Sequence, residues 1–270
     1  MSTASAPIEI GHVALTVKDL GAMQSFYQSV LGLEPLTRDE GRVSLGASGR
    51  KLLELRHDPA VRHASPHEAG LFHTAFLLPD RAALARWLIH VSAESVRLQG
   101  ASDHLVSEAI YLTDPEGNGI EVYVDRPRSQ WQAAGSGVRM ATEPLDLNGL
   151  ARAADGPWQG APDGLVIGHV HLQVGDVPRA EAFWRDTVGM PVMATYPGAA
   201  FYGSGGYHHH IATNIWNSRG AGPRNLPATG LTELVLRADA AELAAIAARA
   251  GSTSLTDPWG TPVKVLPKAA

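Results

Sequence analysis

The chain has 270 residues, 44% hydrophobic and 18% charged, the make-up of a globular protein long enough for about two domains. Its 22 Lys and Arg against 27 Asp and Glu give a net charge of −5, which argues against nucleic acid as a partner. It has no cysteine, which excludes disulfides, thiolate chemistry and cysteine-ligated metal centres, and leaves 12 histidines and the carboxylates as the pool of metal ligands.

The chain opens on "MSTASAPIEI", without the charged and apolar regions of a signal peptide, and no apolar run approaches a membrane span, so a cytoplasmic protein with no membrane partner is expected. The β-branched and apolar run "IEIGHVALTV" predicts a first strand. Asp19 can cap the helix that follows, in which Leu20, Met23, Phe26, Tyr27, Val30 and Leu31 recur at helical spacing, and Gly32 ends it. Short strands follow in "RVSLG" and "KLLELR". A new unit then starts at "LFHTAFLL", runs through the helix "RAALARWLIHV" and closes with strands in "SEAIYLT" and "GIEVYV". Residues 127–164, rich in Gly, Pro, Ala and Trp, are expected to form a linker or wrapping arm.

Beyond that arm the chain repeats itself. "IGHVALTVKDLGAMQSFYQSVLG" (10–32) aligns without a gap on "IGHVHLQVGDVPRAEAFWRDTVG" (167–189), with identities that include His12/His169, Asp19/Asp176 and Gly32/Gly189. "GLFHTAFLLPD" is echoed by "GLTELVLRADA", and "DPEGNGIEVY" by "DPWGTPVKVL". The result is four strand–helix–strand modules, two per half.

Strand alternation places polar groups among apolar ones. His12 shares a face with Ile10 and Ala14, His73 with Leu71, Ala75 and Leu77, Glu121 with Tyr123, and Glu54 with Leu52 and Arg56. A lone histidine in a strand is usually a hydrogen-bonded core residue, and a lone carboxylate usually faces solvent. A carboxylate inside an apolar strand needs a partner, however, and a shared metal would satisfy several such groups together. Two histidines and a carboxylate are the facial set of non-haem Fe(II) oxygenases.

The stretch "HLVSEAIYLTDPEGNGIE" (104–121) resembles the signature of type I extradiol dioxygenases: a His, an apolar residue and Tyr, an Asp-Pro turn, a Gly and a Glu. Ser102 departs from that pattern at one flanking position. With "GGYHHHIATNIWNSRG", the chain resembles the vicinal oxygen chelate superfamily (glyoxalases, bleomycin-resistance proteins and extradiol dioxygenases), and within it the CatE-like catechol 2,3-dioxygenase subgroup. The resemblance implies an α+β fold of four βαβββ modules paired into two vicinal oxygen chelate domains with cupped mixed β-sheets. An N-terminal domain over 8–126 would carry the metal, and a degenerate C-terminal copy would span 165–268.

Carried over residue by residue, His12, His73 and Glu121 match the metal ligands, with Glu54 a possible fourth. Tyr111 matches the active-site tyrosine and His104 a neighbouring histidine. A base is also needed, and His57 and His104 are its candidates. His169, His210 and Glu233 form a weaker candidate second site, although Lys264 more simply pairs with Glu233. The resemblance departs from the well-known two-domain enzymes, whose complete triad lies in the C-terminal half.

The implied activity is ring cleavage of a small aromatic catechol by O2, with Fe(II) or, less simply, Mn(II). A glyoxalase-like lyase or isomerase using Ni or Zn through His12, Glu54, His73 and Glu121 is the alternative. A non-catalytic binding or resistance protein on the same fold is a third. A homo-oligomer is compatible with all of them.

Overall fold

The computed structural model describes residues 6–268. The first module is β1 (Ile8–Val17), α1 (Leu20–Leu31), β2 (Glu34–Asp39), β3 (Arg42–Ala47) and β4 (Arg50–His57). The second is β5 (Gly70–Leu77), α2 (Arg81–Ala93), β6 (Leu98–Asp103), β7 (Ser107–Thr113) and β8 (Gly119–Asp125). The connecting arm holds short strands β9 (Ala133–Ala134), β10 (Gly137–Val138) and β11 (Glu143–Pro144), then α3 (Leu147–Ala151). The third module is β12 (Val166–Gln173), α4 (Val177–Glu181) continuing into a π-helical turn (Ala182–Val188), β13 (Val192–Tyr196), β14 (Ala199–Tyr202) and β15 (Ile211–Asn214). The fourth is β16 (Gly230–Ala238), α5 (Ala240–Ala250), β17 (Ser254–Thr256) and β18 (Pro262–Pro267). It has two strands after its helix rather than three.

Each module enters its helix in the same way. Asp19, Asp80, Asp176 and Asp239 each follow the first strand, and each carboxylate accepts a backbone N–H three residues on. Such a cap contributes about 1 kcal/mol and fixes where the chain turns off the sheet. The Asp-Pro turns recur as well. Asp114 accepts from the N–H groups of Glu116 and Asn118, and Asp257 from those of Trp259 and Thr261, before β8 and β18 respectively.

The sheets do not follow the halves of the chain. β1 pairs antiparallel with β16, from Ile8 opposite Ala238 to Thr16 opposite Gly230, which builds a seven-stranded sheet from the first and fourth modules. β5 pairs antiparallel with β12, from Leu77 opposite Val166 to Gly70 opposite Gln173, which builds a nine-stranded sheet from the second and third modules with β11 of the arm at one edge. Each cup thus takes one module from each half, so neither sheet closes within 8–126 or within 165–268. Within its own module each first strand is paired on one side only, and both β1 and β5 are largely buried, so local pattern does not say which edges meet.

β1 lies against β12, and one apolar core runs through both sheets, with Trp87 and Tyr27 fully buried within it. The arm straps the nine-stranded sheet at both ends. β11 pairs with β6 at one edge, and β10 packs on β13 at the other, where Gly137 approaches the Met193 backbone too closely for a side chain. Among the described residues no helix is long and apolar enough to cross a membrane.

Because both sheets close across the halves, residues 8–126 expressed alone are expected not to form a cooperatively unfolding monomer. Urea unfolding followed by circular dichroism, with size measured in parallel, checks this. A monomeric half with a steep two-state transition would show that pairing between halves is dispensable.

Candidate metal centre and active site

β7, β8, β5 and β12 are consecutive in the nine-stranded sheet. Their register sets Tyr111 opposite Glu121, Glu121 beside Ala75, and Ala75 opposite His169. His73 precedes Ala75 by two residues and shares its face. The small side chain of Ala75 leaves room at the centre of this row, and His73, Glu121 and His169 converge there. Two glycines permit the approach. A Cβ on Gly119 would strike the Phe72 carbonyl, and one on Gly168, within a bulge of β12, would strike the Tyr123 hydroxyl.

Nε2 of His73 lies 3.0 Å from Glu121 Oε2, and Nε2 of His169 lies 3.2 Å from the same oxygen. One donor atom from each of the three residues lies within 4.8 Å of the others, and all three side chains are buried. Although close to Glu121, His73 Nε2 is not aligned in a hydrogen bond, so a buried ring nitrogen is left without a partner. Burial by itself would raise the Glu121 pKa, but His169 and His73 outweigh it and hold the carboxyl well below its usual range. Burial pushes His169 down to about 4 against the pull of Glu121. A neutral His169 beside an ionised Glu121 offers the protonation states that a divalent cation requires. An orphaned nitrogen, a carboxylate and a second imidazole, buried and convergent, therefore fit a metal.

His12 is not part of this group. It lies on β1, in the other sheet, and His169, the residue at its repeat position, stands with His73 and Glu121 instead. Glu54 is also in the other sheet, paired with Lys51 and with Arg56 at 2.5 Å. Glu233 there bonds Arg56 at 3.1 Å and Lys264 at 2.6 Å, so the simple Lys264 pairing holds. The candidate second site is thus divided between two sheets, with His169 in one and Glu233 in the other. His210 is buried, its Nδ1 accepting from the Ser204 N–H at 3.1 Å. His57 sits at the end of β4, its Nε2 at 3.1 Å from the Lys18 carbonyl, away from the cavity.

His104 and Tyr111 do meet at the site. The Ala141 carbonyl of the arm can only accept, so His104 Nδ1, 2.7 Å away, carries the proton. His104 Nε2 then accepts from the Tyr111 hydroxyl at 2.5 Å. Burial, and then the charge of Glu121, push the Tyr111 phenol well above its ordinary pKa, so it stays protonated.

Two further histidines line the cavity. His171 follows His169 by two residues and so shares its face, and its Nε2 lies 3.0 Å from the Asn214 amide nitrogen. The sequence signal was "HVHL" in the third module against "HVAL" in the first. His209 lies at the head of a chain of hydrogen bonds. The Asp125 carboxylate is 2.8 Å from His208 Nε2, and His208 Nδ1 is 2.7 Å from His209 Nδ1. With Asp125 accepting from His208 Nε2–H, His208 Nδ1 accepts from His209 Nδ1–H, which leaves His209 Nε2 as the unprotonated nitrogen. Burial, then His169, lowers the His209 pKa well below 6.5 and keeps its ring neutral.

The cavity has a volume of about 510 Å³. Its walls include Phe72, Leu112, Phe201 and Trp216 besides the polar groups above, and Met140 and Ala141 of the arm close one side.

A family model described as the Glyoxalase/Bleomycin resistance protein/Dioxygenase superfamily matches residues 9–122 and 166–262. The chain belongs to that superfamily. A catechol-2,3-dioxygenase of Bacillus subtilis (strain 168) is 40% identical over 237 residues, covering 86% of this chain and 83% of that protein. Biphenyl-2,3-diol 1,2-dioxygenase 3 of Rhodococcus globerulus is 30% identical over 128 residues, covering 43% of this chain and 63% of its own. In structure, glyoxalase I from Zea mays superposes with a TM-score of 0.57 at 14% identity, covering 98% of this chain and 94% of that one, which speaks to the shared fold of paired modules. The relatives support a dioxygenase-type oxidoreductase with a metal cofactor.

Anaerobic loading with divalent metal is expected to give one ion per chain, lost in His169→Ala and in His73→Ala and retained in His12→Ala, as read by elemental analysis. His12 also yields a pH signature. Burial, then Lys51, lowers its pKa from 6.5 to about 4 in the fold. A depressed histidine adds nothing above the unfolded pKa, and it costs stability as pH falls from about 6.5 to about 4, where the unfolded chain takes up a proton that the folded chain refuses. His12→Gln is therefore expected to lose less Tm than the wild type over that window, and an equal loss would contradict the assignment.

Proposed function

We propose that this protein is an extradiol ring-cleaving dioxygenase that acts on a catechol-type aromatic with O2, using Fe(II) held by His73, Glu121 and His169. The observation that carries the reading is the number of donors. β15 sets Ala212 beside His171 in the same relation in which β8 sets Glu121 beside Ala75, so the fourth corner of the site has a methyl group where a glyoxalase-like quartet needs a carboxylate. Two histidines and one carboxylate are the donor set associated with non-haem Fe(II) oxygenases. The quartet built on His12 and Glu54 is divided between two sheets.

Iron bound there would supply the electron exchange between catechol and O2. The rest falls to the side chains. His209 Nε2 takes the proton of a catechol hydroxyl. Its own Nδ1–H leans on His208, and His208 on Asp125, so the positive charge gained by His209 is shared toward a carboxylate. Tyr111 donates its hydrogen bond to His104, so the lone pairs of its phenol oxygen are free to accept from the other hydroxyl and orient the ring. Both nitrogens of His104 are engaged, which makes it the residue that positions Tyr111 rather than the base. The buried walls keep bulk water away from the reacting ring.

His209→Gln is expected to retain metal and to lower kcat by roughly 10²–10⁴-fold, the range for a general base. Tyr111→Phe is expected to retain metal and lower turnover by a smaller factor. Oxygen uptake and the absorbance of the ring-opened product read both. Full activity in His209→Gln, or loss of metal in Tyr111→Phe, would refute the roles assigned here.

A further inference from the structure

The walls of the cavity divide by chemistry. At the donor end stand His73, Glu121, His169 and His209. From there a ladder of rings runs outward. His73 packs on His171 with centroids 4.9 Å apart, and His171 on Trp216 at 5.5 Å. Phe72 touches all three, at 5.3 Å from His73, 5.0 Å from His171 and 5.5 Å from Trp216. Phe201 extends the wall from His209, 5.0 Å away.

The ladder ends in solvent. Trp216 is 46% exposed and Tyr196, also on the cavity wall, is 52% exposed, which places two large aromatic side chains at the rim. Trp216 does not swing freely, because its indole N–H donates to the Pro197 carbonyl at 2.9 Å. No lysine, arginine or aspartate lies among the described residues that line the cavity, and Glu121 is its one acid. A carboxylate arriving there would shed water without gaining an ion-pair partner, which is costly. An apolar group would instead cover Phe72 and Trp216 and gain the transfer free energy of its buried surface. A cavity of about 510 Å³ is also much larger than an unsubstituted catechol ring fills.

We infer that the substrate is a catechol bearing an uncharged apolar substituent, alkyl or aryl, which lies along the Phe72–His171–Trp216 wall toward the rim, and that ring-carboxylated or side-chain-carboxylated catechols are discriminated against. The inference rests on the ring-cleavage reading for the identity of the reacting end, and on the cavity walls for the other end. Discrimination of this kind resides in binding of the substituent, so it appears in Kd and kcat/KM rather than in kcat.

The test compares 4-ethylcatechol with 3,4-dihydroxyphenylacetate, which share a two-carbon substituent, the acid adding two carboxylate oxygens and one negative charge. Binding to the metal-loaded full chain is measured anaerobically by titration calorimetry, and turnover separately by oxygen uptake. The ethyl compound is expected to bind at least about tenfold more tightly, in line with the roughly fourfold gained per buried methylene plus the unmet charge of the acid. Trp216→Arg places a cation at the rim and is expected to narrow that ratio severalfold; Tyr196→Arg serves as a second rim variant should the first fail to fold. Equal or tighter binding of the acid by the wild-type chain overturns the inference, as does failure of both compounds to bind. Oxygen uptake separates the two claims. If the acid is the better substrate, ring cleavage stands and the substituent class falls. If neither compound draws oxygen while the binding ratio holds, the substituent class stands and ring cleavage falls.

Discussion

The antiparallel pairing of β5 with β12 is the constraint on which the site depends. It joins modules on opposite sides of the connecting arm, and it sets His169 opposite Ala75 while β8 sets Glu121 on the other side of that same alanine. A slip of one residue in either ladder would turn one donor to the opposite face of the sheet and leave the other two buried without a third. The site is therefore a property of register, and register is held by backbone hydrogen bonds and by the apolar core beneath the sheet.

The same architecture explains why the two cups differ. In the nine-stranded sheet the inward positions hold two histidines and a glutamate with a nitrogen left unpaired, and in the seven-stranded sheet the related positions are closed by ions. Glu54 takes Lys51 and Arg56, and Glu233 takes Arg56 and Lys264. A buried carboxylate must find a cation, and side-chain ammonium and guanidinium groups satisfy that need as well as a metal does. In one cup the carboxylates are paired within the protein; in the other, His73 Nε2 and His169 Nδ1 are left without partners.

The arm between the halves shapes the candidate site as well as the fold. Its Ala141 carbonyl selects the His104 tautomer, and His104 in turn directs the Tyr111 hydroxyl. Asp125, at the end of β8, directs His208 and through it His209. Each group aimed at the cavity is thus held by a second group outside it, which limits reorganisation when a proton moves.

Much of this protein was legible in its sequence. The gapless repeat of 10–32 on 167–189 announced the duplicated modules, alternation put His73 and Glu121 on buried strand faces, and the stretch from His104 to Glu121 carried the tyrosine and histidine that meet at the site. These are local features, encoded within one strand, one helix or one hairpin. The third member of the buried group, His169, was not legible in that way. His12 and His169 occupy the same place in the same repeated motif, and nothing within either module says which of them will face His73. That choice was made by which strand edges met, β5 with β12 and β1 with β16. The same pairing separated Glu54 and Glu233 from the site and brought His171 and His209 to it. Hydrogen bonding between strands distant in sequence is indifferent to side-chain identity along the edge, so the partner of each module, and with it the composition of the site, was decided only by the tertiary structure.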